Sequence, residues 1–280
     1  MIRLKAHAKI NLFLQVIGKR ADGYHEIDSV MQSVSLHDEI KLTEIETGIE
    51  LTVNNPHLPA DENNLAYKAA RIFFDRTGIK SGVKIEILKN IPVAAGLAGG
   101  SADAAATLIG LNQLFKCGLT ESDLLTLAAD LGSDVPFCTM GGTCRCRGRG
   151  ELVEKMEPPA ESFWVLVKPD LELSTKWVYD NFDLVWIAEK RLVGTHQSFS
   201  GLTLYNDLEK VVLPKYPKVE GIKKRLIQLG CLQAIMSGSG PTVYGLARDD
   251  ASARQIYSEI KKEYPQSYAA QSVESGVSMV

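Results

Sequence analysis

The most informative stretch of this sequence offers chemistry from its backbone rather than its side chains. Residues 91–106 read Ile-Pro-Val-Ala-Ala-Gly-Leu-Ala-Gly-Gly-Ser-Ala-Asp-Ala-Ala-Ala, with glycine at 96, 99 and 100 and no lysine or arginine. Glycine lets the chain turn where a Cβ would clash and lets main-chain N–H groups approach a ligand closely. The alanine-rich run behind it favours a helix, with Ser101 as its expected N-cap. Ala104, Leu108, Leu111 and Phe115 give that helix an apolar stripe. A glycine loop opening a helix presents unpaired N–H groups and the positive end of the helix dipole, which suits a nucleotide phosphate. The stretch fits neither G-x-x-x-x-G-K-[ST] nor G-x-G-x-x-G. The competing reading is a packing turn ahead of a buried helix.

A cradle of neutral donors needs cations and a base from elsewhere. In the alternating run 2–16, Arg3, Lys5, His7, Lys9, Asn11, Phe13 and Gln15 share one face, so Lys9 and Asn11 project together. Arg3 and Lys5 read as a solvated face. Lys89, just before the loop, is a second candidate cation. Asp134 lies in Gly-Ser-Asp-Val-Pro, where Pro136 is expected to keep Val135 out of the helical region and stiffen the loop. A carboxylate there is a candidate general base, or else an Asx turn or cap. Tyr24 and His25 follow an Asp-Gly turn. They suit stacking on and hydrogen bonding to a planar ligand, or simply cover the sheet end. Asp103, placed in the first helical turn, either partners a magnesium ion or complements the helix dipole. Arg145, Arg147 and Arg149 alternate and read as a solvated strand face ending in a glycine turn. The five cysteines (117, 138, 144, 146 and 231) contain no C-x-x-C pair and read as free thiols, with Cys144 and Cys146 on one strand face.

The elements that must position these groups follow from periodicity. Ile2, Leu4, Ala6, Ala8, Ile10, Leu12, Leu14 and Val16 form the apolar face of the first strand. Strand-like runs continue to about Val53, with turns expected near His37-Asp38 and Thr47-Gly48. A helix starts at Asp61–Asn64 and stops at Gly78. Val83, Ile85 and Ile87 alternate as the strand feeding the glycine loop. Thr120 and Asp123 form a capping box for a helix that Gly132 stops. Pro158-Pro159 is the expected linker. Beyond it lie a buried strand at 163–167, a short helix capped at Ser174-Thr175 and bearing Trp177 and Tyr179, and an irregular polar stretch at 190–203. Helices near Asn206–Leu213 and Val219–Leu229 follow, then a hairpin around Gly238–Pro241, a helix capped by Asp250 and a last strand at 268–273. Strands in a hairpin, a helix and a strand predict a small α+β domain with helices on one sheet face.

Composition narrows the function classes. At 280 residues the chain has room for one large or two modest domains. A net charge of −3 speaks against broad nucleic-acid binding, which needs many phosphate-neutralising cations. No apolar run is long enough to span a bilayer, and the alternating N-terminal residues do not form a signal-peptide core, so a cytoplasmic location is expected.

Three segments together resemble the GHMP kinase superfamily, the galactose, homoserine, mevalonate and phosphomevalonate kinases. They are Ala8-Lys9-Ile10-Asn11-Leu12, the run from Pro92 to Ser101, and Met236-Ser-Gly-Ser-Gly-Pro-Thr242. Arg20–His25 and Leu131–Pro136 are more narrowly similar to the branch that phosphorylates a cytidine-diphosphate-linked alcohol. The resemblance implies an α+β, two-domain fold: an ATP-binding domain like ribosomal protein S5 domain 2 (1–158) and a ferredoxin-like substrate domain (159–280). It implies that ATP phosphates lie on Pro92, Val93, Ala94, Ala95, Gly96, Leu97, Ala98, Gly99, Gly100, Ser101 and Ala102. Lys9 and Asp134 become catalytic, and Asn11, Tyr24, His25 and, more loosely, Tyr179 bind the small-molecule substrate. ATP and Mg2+ are the implied cofactors, with no metal ligand singled out. The chain departs from the family at Ala102, where a second serine is common, and at Cys144-Arg145-Cys146. The alternatives are a homoserine- or mevalonate-type kinase, and a non-catalytic nucleotide-binding regulator that would need neither Lys9 nor Asp134.

Overall fold

The uninterrupted apolar alternation from Ile2 makes one long strand, β1 (Ile2–Lys19), antiparallel to β2 (His25–Ile45). The fold was obtained as a computed structural model, and the structure describes residues 1–157, 161–182 and 204–280. The expected Pro158-Pro159 linker and the irregular stretch 190–203 lie outside the described residues. The turn expected at His37-Asp38 is absent. The chain instead bulges there, because His7 pairs with His37 whereas Ala8 pairs with Val34, and β2 runs on. The bulge absorbs the polar residues without ending the ladder.

β3 (Ile49–Val53) and β4 (Gly82–Leu88) are parallel neighbours joined through α1 (Leu65–Thr77). Asn64 caps α1 by accepting from Ala66 N at 2.9 Å, and Gly78 closes it in the left-handed region. α2 (Gly99–Leu114) lies against the sheet, burying Ala102, Ala104, Ala105 and Ala106. Its approach is set by Gly110, where a Cβ would stand 2.5 Å from both Leu4 Cδ1 and Leu42 Cδ1. α3 (Glu121–Leu131) carries the Thr120/Asp123 capping box, and α4 (Val135–Met140) follows directly. β5 (Thr143–Gly148) and β6 (Leu152–Lys155) extend β2 as a hairpin, with Cys144 and Cys146 both buried.

The second sheet has four antiparallel strands: β7 (Phe163–Val167), β9 (Gln233–Met236), β10 (Val243–Ala247) and β11 (Ser267–Gln271). Its order is β11-β7-β10-β9, fourth-first-third-second in sequence, which is the ferredoxin-like arrangement. α5 (Thr175–Asp180), α6 (Glu209–Lys215) and α7 (Pro217–Gln228) fall between its first two strands and α8 (Asp250–Glu263) between its last two. Val165 and Val167 pack with Ile222, Leu226, Ile256 and Ile260 of the helices, while Trp164, Leu166 and Tyr244 join the core of the first sheet. The helix expected from Asn206 begins later. Tyr205–Asn206 form a two-residue strand, β8, parallel to β1, and Pro214 sits in the last turn of α6 rather than after it. Asp249, not Asp250, caps α8. Beyond β11 the unanticipated β12 (Val277–Met279) pairs with β1.

The Gly110 contact generates a test. Gly110→Ala gains helix propensity but forces a methyl into two buried leucines, so a net loss of about 1–3 kcal/mol in unfolding free energy by urea denaturation is expected.

Candidate active site

Lys9 and Asn11 leave β1 on one face, as the alternation requires, but that face is covered: Lys9 is 4% exposed and Asn11 1%. A buried ammonium needs partners. Lys9 Nζ donates to Asn11 Oδ1 at 2.6 Å, Asn11 Nδ2 to Ser29 Oγ at 2.9 Å, and Ser29 Oγ to the Phe13 carbonyl at 2.7 Å. This relay fixes the amine. Asp134 Oδ2 stands 3.6 Å from it, close enough for an ion pair and too far for a hydrogen bond.

Asp134 reaches that position differently from the sequence expectation. Val135 is not extended; it opens α4, with Asp134 at the N-cap position. Pro136 is accommodated because the first turn of a helix has no acceptor for its missing N–H. The Asp134 side chain makes no capping bond. It lines the cavity instead.

The glycine loop is tied to β1 by Lys9 N donating to the Leu97 carbonyl at 3.1 Å. Ala94, Gly96 and Ala98 have positive φ (50°, 73° and 56°), alternating with Ala95 and Leu97. Such alternation turns neighbouring N–H groups toward one concavity, an anion nest. Two of the three left-handed residues are alanines, at a cost of about 1–2 kcal/mol each. Ser101 is not the N-cap. α2 starts at Gly99 with Ala98 as a cap that has no side-chain hydrogen bond. The first helical bond, Ala102 N to the Ala98 carbonyl at 2.9 Å, leaves the N–H groups of Gly99, Gly100 and Ser101 without a capping partner. The glycines differ in need. At Gly96 a Cβ would meet the Ser237 carbonyl at 2.4 Å, whereas at Gly100 it would meet only Leu65 Cδ1 at 3.6 Å.

The segment 237–242 completes this wall. Ser237 Oγ donates to the Gly96 carbonyl at 2.9 Å. Asn206 Nδ2 holds the Met236 and Gly238 carbonyls, both at 2.8 Å. Gly238 lies against the relay, its Cβ position 3.3 Å from both Asn11 Oδ1 and Lys9 Nζ.

Behind the loop, Lys89 Nζ donates to Asp38 and, at 2.7 Å, to Asp103 Oδ2. Asp38 also accepts from the N–H groups of Asn90 at 2.6 Å and Ile91 at 2.8 Å, anchoring the chain as it enters the loop. Asp103 is therefore not in the first turn of α2, which begins at Gly99 and holds no acidic residue, but just beyond it and 4% exposed. Burial, with the negative charge of Asp38 adding to it, raises its pKa against the pull of Lys89. Burial opposes the Lys89 charge, but the two carboxylates outweigh it and raise the Lys89 pKa.

At the other end, the rings of His25 and Tyr179 lie 5.1 Å apart, and Tyr24 is 52% exposed. Arg149 Cζ stands 5.3 Å from the Tyr24 centroid. Burial first, and the charge of Lys19 second, lower the His25 pKa against the pull of Asp180. Burial and Asp134 raise that of Tyr179.

One cavity of about 940 Å³ is lined by Lys9, Asn11, Tyr24, His25, Asp134, Tyr179 and all of Pro92–Ser101. Ala102 alone among the sequence-derived site residues is absent from the wall; it is fully buried beneath the helix start. The sequence reads Asp38 as a turn residue, Asn206 as a helix start and Arg149 as part of a solvated strand face. The structure instead puts Asp38 on the chain entering the loop, Asn206 on the carbonyls of 236 and 238, and Arg149 on the cavity wall. Arg145 and Arg147 do pair along the strand face, with Asp28 at 2.7 Å and Glu154 at 3.1 Å.

The chain is similar to known proteins in sequence and in fold. The family GHMP kinases N terminal domain matches residues 64–142, and GHMP kinases C terminal matches 190–266. A 4-diphosphocytidyl-2-C-methyl-D-erythritol kinase of Clostridium botulinum (strain Alaska E43 / Type E3) is 45% identical over 269 residues, 93% of this chain and 96% of that protein. A protein of the same name from Exiguobacterium sibiricum is 47% identical, covering 93% and 94%. A crystal structure of 4-(cytidine 5'-diphospho)-2C-methyl-D-erythritol kinase has a TM-score of 0.82 at 30% identity, covering 97% of this chain and 99% of that one. Homoserine kinase from Cytophaga hutchinsonii, 22% identical with a TM-score of 0.75 and covering 100% and 97%, shares the fold.

The two carboxylates around Lys89 are unequal, and denaturant unfolding can show it. Asp38→Asn strips a charge serving three donors and is expected to cost about 3–5 kcal/mol. Asp103→Asn also relieves a like-charge contact and is expected to cost distinctly less.

Proposed function

The chain belongs to the GHMP kinase family, and from that premise we propose that it transfers the γ-phosphoryl group of ATP to the 2-hydroxyl of 4-diphosphocytidyl-2-C-methyl-D-erythritol, a step of the non-mevalonate route to isoprenoids. The observation that carries this reading is the meeting of Lys9 and Asp134 at 3.6 Å in the same cavity as an uncapped phosphate loop and a cluster of aromatic rings. Phosphoryl transfer needs little covalent help from the protein; positioning and charge neutralisation carry it. The ATP phosphates rest on the N–H groups of residues 94–101. The substrate hydroxyl enters between Lys9 and Asp134. Asp134 takes its proton, while Lys9, held by Asn11, faces Asp134 and offsets the charge growing on the phosphoryl oxygens. Tyr24 and Tyr179 supply stacking faces for the cytosine, and His25 hydrogen-bonds its edge. A homoserine or mevalonate substrate has no planar group for that end of the cavity.

The chain suits magnesium in a limited way. Asp103 Oδ1 is buried without a hydrogen-bond partner among the described residues, which leaves one carboxyl oxygen open to a cation. Asp103 is the residue that would hold the ion. When bound, Mg2+ supplies charge neutralisation at the ATP phosphates, keeping most of its other ligands as water and phosphate oxygen. The division into an ATP-binding part (1–158) and a substrate part (159–280) belongs to the same proposal, with β8 and β12 of the second part pairing with β1 of the first. So does a cytoplasmic location; no described helix is long and apolar enough to cross a membrane.

ADP release with the diphosphocytidyl substrate tests the reading. Wild type should turn over, and Asp134→Asn should lower kcat by roughly 10²–10⁴-fold while leaving ATP affinity unchanged. No ADP from the wild type, or full activity in Asp134→Asn, would refute it.

A further inference from the structure

Arg149 stands apart from the two arginines it alternates with. Arg145 and Arg147 are spent on Asp28 and Glu154 along β5. Gly148, at φ 72°, then turns the chain, and Arg149 swings off the strand face to line the active-site cavity. Its guanidinium is placed and only loosely paired. Nη2 donates to the Ala129 carbonyl at 3.1 Å near the end of α3, and Cζ lies over Tyr24. Glu151 accepts the Arg149 backbone N–H at 2.7 Å, and its Oε2 stands 3.9 Å from Nε, a long ion pair with no hydrogen bond. A guanidinium has five N–H donors, and among the described residues only one hydrogen bond from this one is formed.

The other cations of the cavity wall are committed. Lys9 is bound to Asn11 and Lys89 to Asp38 and Asp103. Lys176 is paired with Asp180 at 2.5 Å on the outer rim. Arg149 is therefore the lining cation with donors to spare at the Tyr24 end. Its turn also abuts the Asp134 loop, because a Cβ on Gly150 would lie 3.6 Å from Ser133 Cβ. It stands between the ring that would take the base and the loop that would meet the hydroxyl.

Resting on the function proposed above, we infer that Arg149 binds the diphosphate of the substrate, its guanidinium lying on Tyr24 while its outer N–H groups grip phosphate oxygens. Arginine suits both contacts, since its planar fork matches phosphate and its face stacks on aromatic rings. Arg149 would then set specificity for a nucleoside diphosphate over a neutral nucleoside, while taking no part in the transfer itself.

Calorimetric titration of CDP and of cytidine into wild type, Arg149→Gln and Arg149→Lys tests this. For Arg149→Gln, CDP affinity should fall about 10–100-fold, as expected for lost hydrogen bonds to a charged group, and cytidine affinity much less. Arg149→Lys should recover part of the CDP loss. In turnover assays the KM for the diphosphocytidyl substrate should rise while that for ATP stays unchanged. Equal losses for CDP and cytidine would overturn the inference, reducing Arg149 to a support for Tyr24, and so would no loss for CDP. Wild-type protein that binds neither ligand would overturn the proposed function itself.

Discussion

A buried ammonium is the constraint on which this molecule depends. Lys9 sits almost out of water at the point where β1, the glycine loop and the 237–242 segment converge. Burying such a charge is unfavourable unless each neighbour is placed to receive it. Asn11, Ser29 and the Phe13 carbonyl form one fixed line of acceptors, and Asp134 supplies the opposing charge. Gly238 permits the close approach of the third segment, since any side chain there would press on the amine. Packing and chemistry are thus satisfied by the same contacts.

The loop beside it shows where strain is tolerated. Alanines at 94 and 98 occupy a backbone region that suits glycine. They are held there by ties from outside the loop: Lys9 N to Leu97, Ser237 to Gly96 and Asp38 to the two N–H groups ahead of it. Backbone strain of this kind persists only when the surroundings over-determine it, and it is concentrated at sites that must be preorganised. Tyr244 adds a tie between the two sheets, its hydroxyl donating to the Asn11 carbonyl at 2.6 Å.

Much of this was legible in the residues, for a physical reason in each case. Period-two alternation placed Lys9 beside Asn11, and short-range capping chemistry located α1 and α3. Glycine spacing and the shared motifs pointed to the cavity. What escaped depends on distant partners. Asp38 resembles a turn aspartate until Asn90 and Ile91, fifty residues on, supply donors. Ser101 looked like a cap because nothing in an alanine announces a left-handed Ala98. Pro136 permits either an extended residue or a helix start before it, and burial of Val135 and Phe137 chose the helix. Arg149 was grouped with its neighbours because alternation cannot see the turn at Gly148.

The pairing of Leu4–Ala6 with Val277–Met279 has a consequence for how the chain is made. During synthesis the first strand emerges early, and its outer edge waits through nearly the whole length of the sequence for its mate. An unpaired edge is a template for wrong partners, and contacts between such distant residues form slowly. A fragment ending before residue 277 would therefore carry a bare, sticky border on the very strand that bears Lys9, and its hazard would be association with copies of itself.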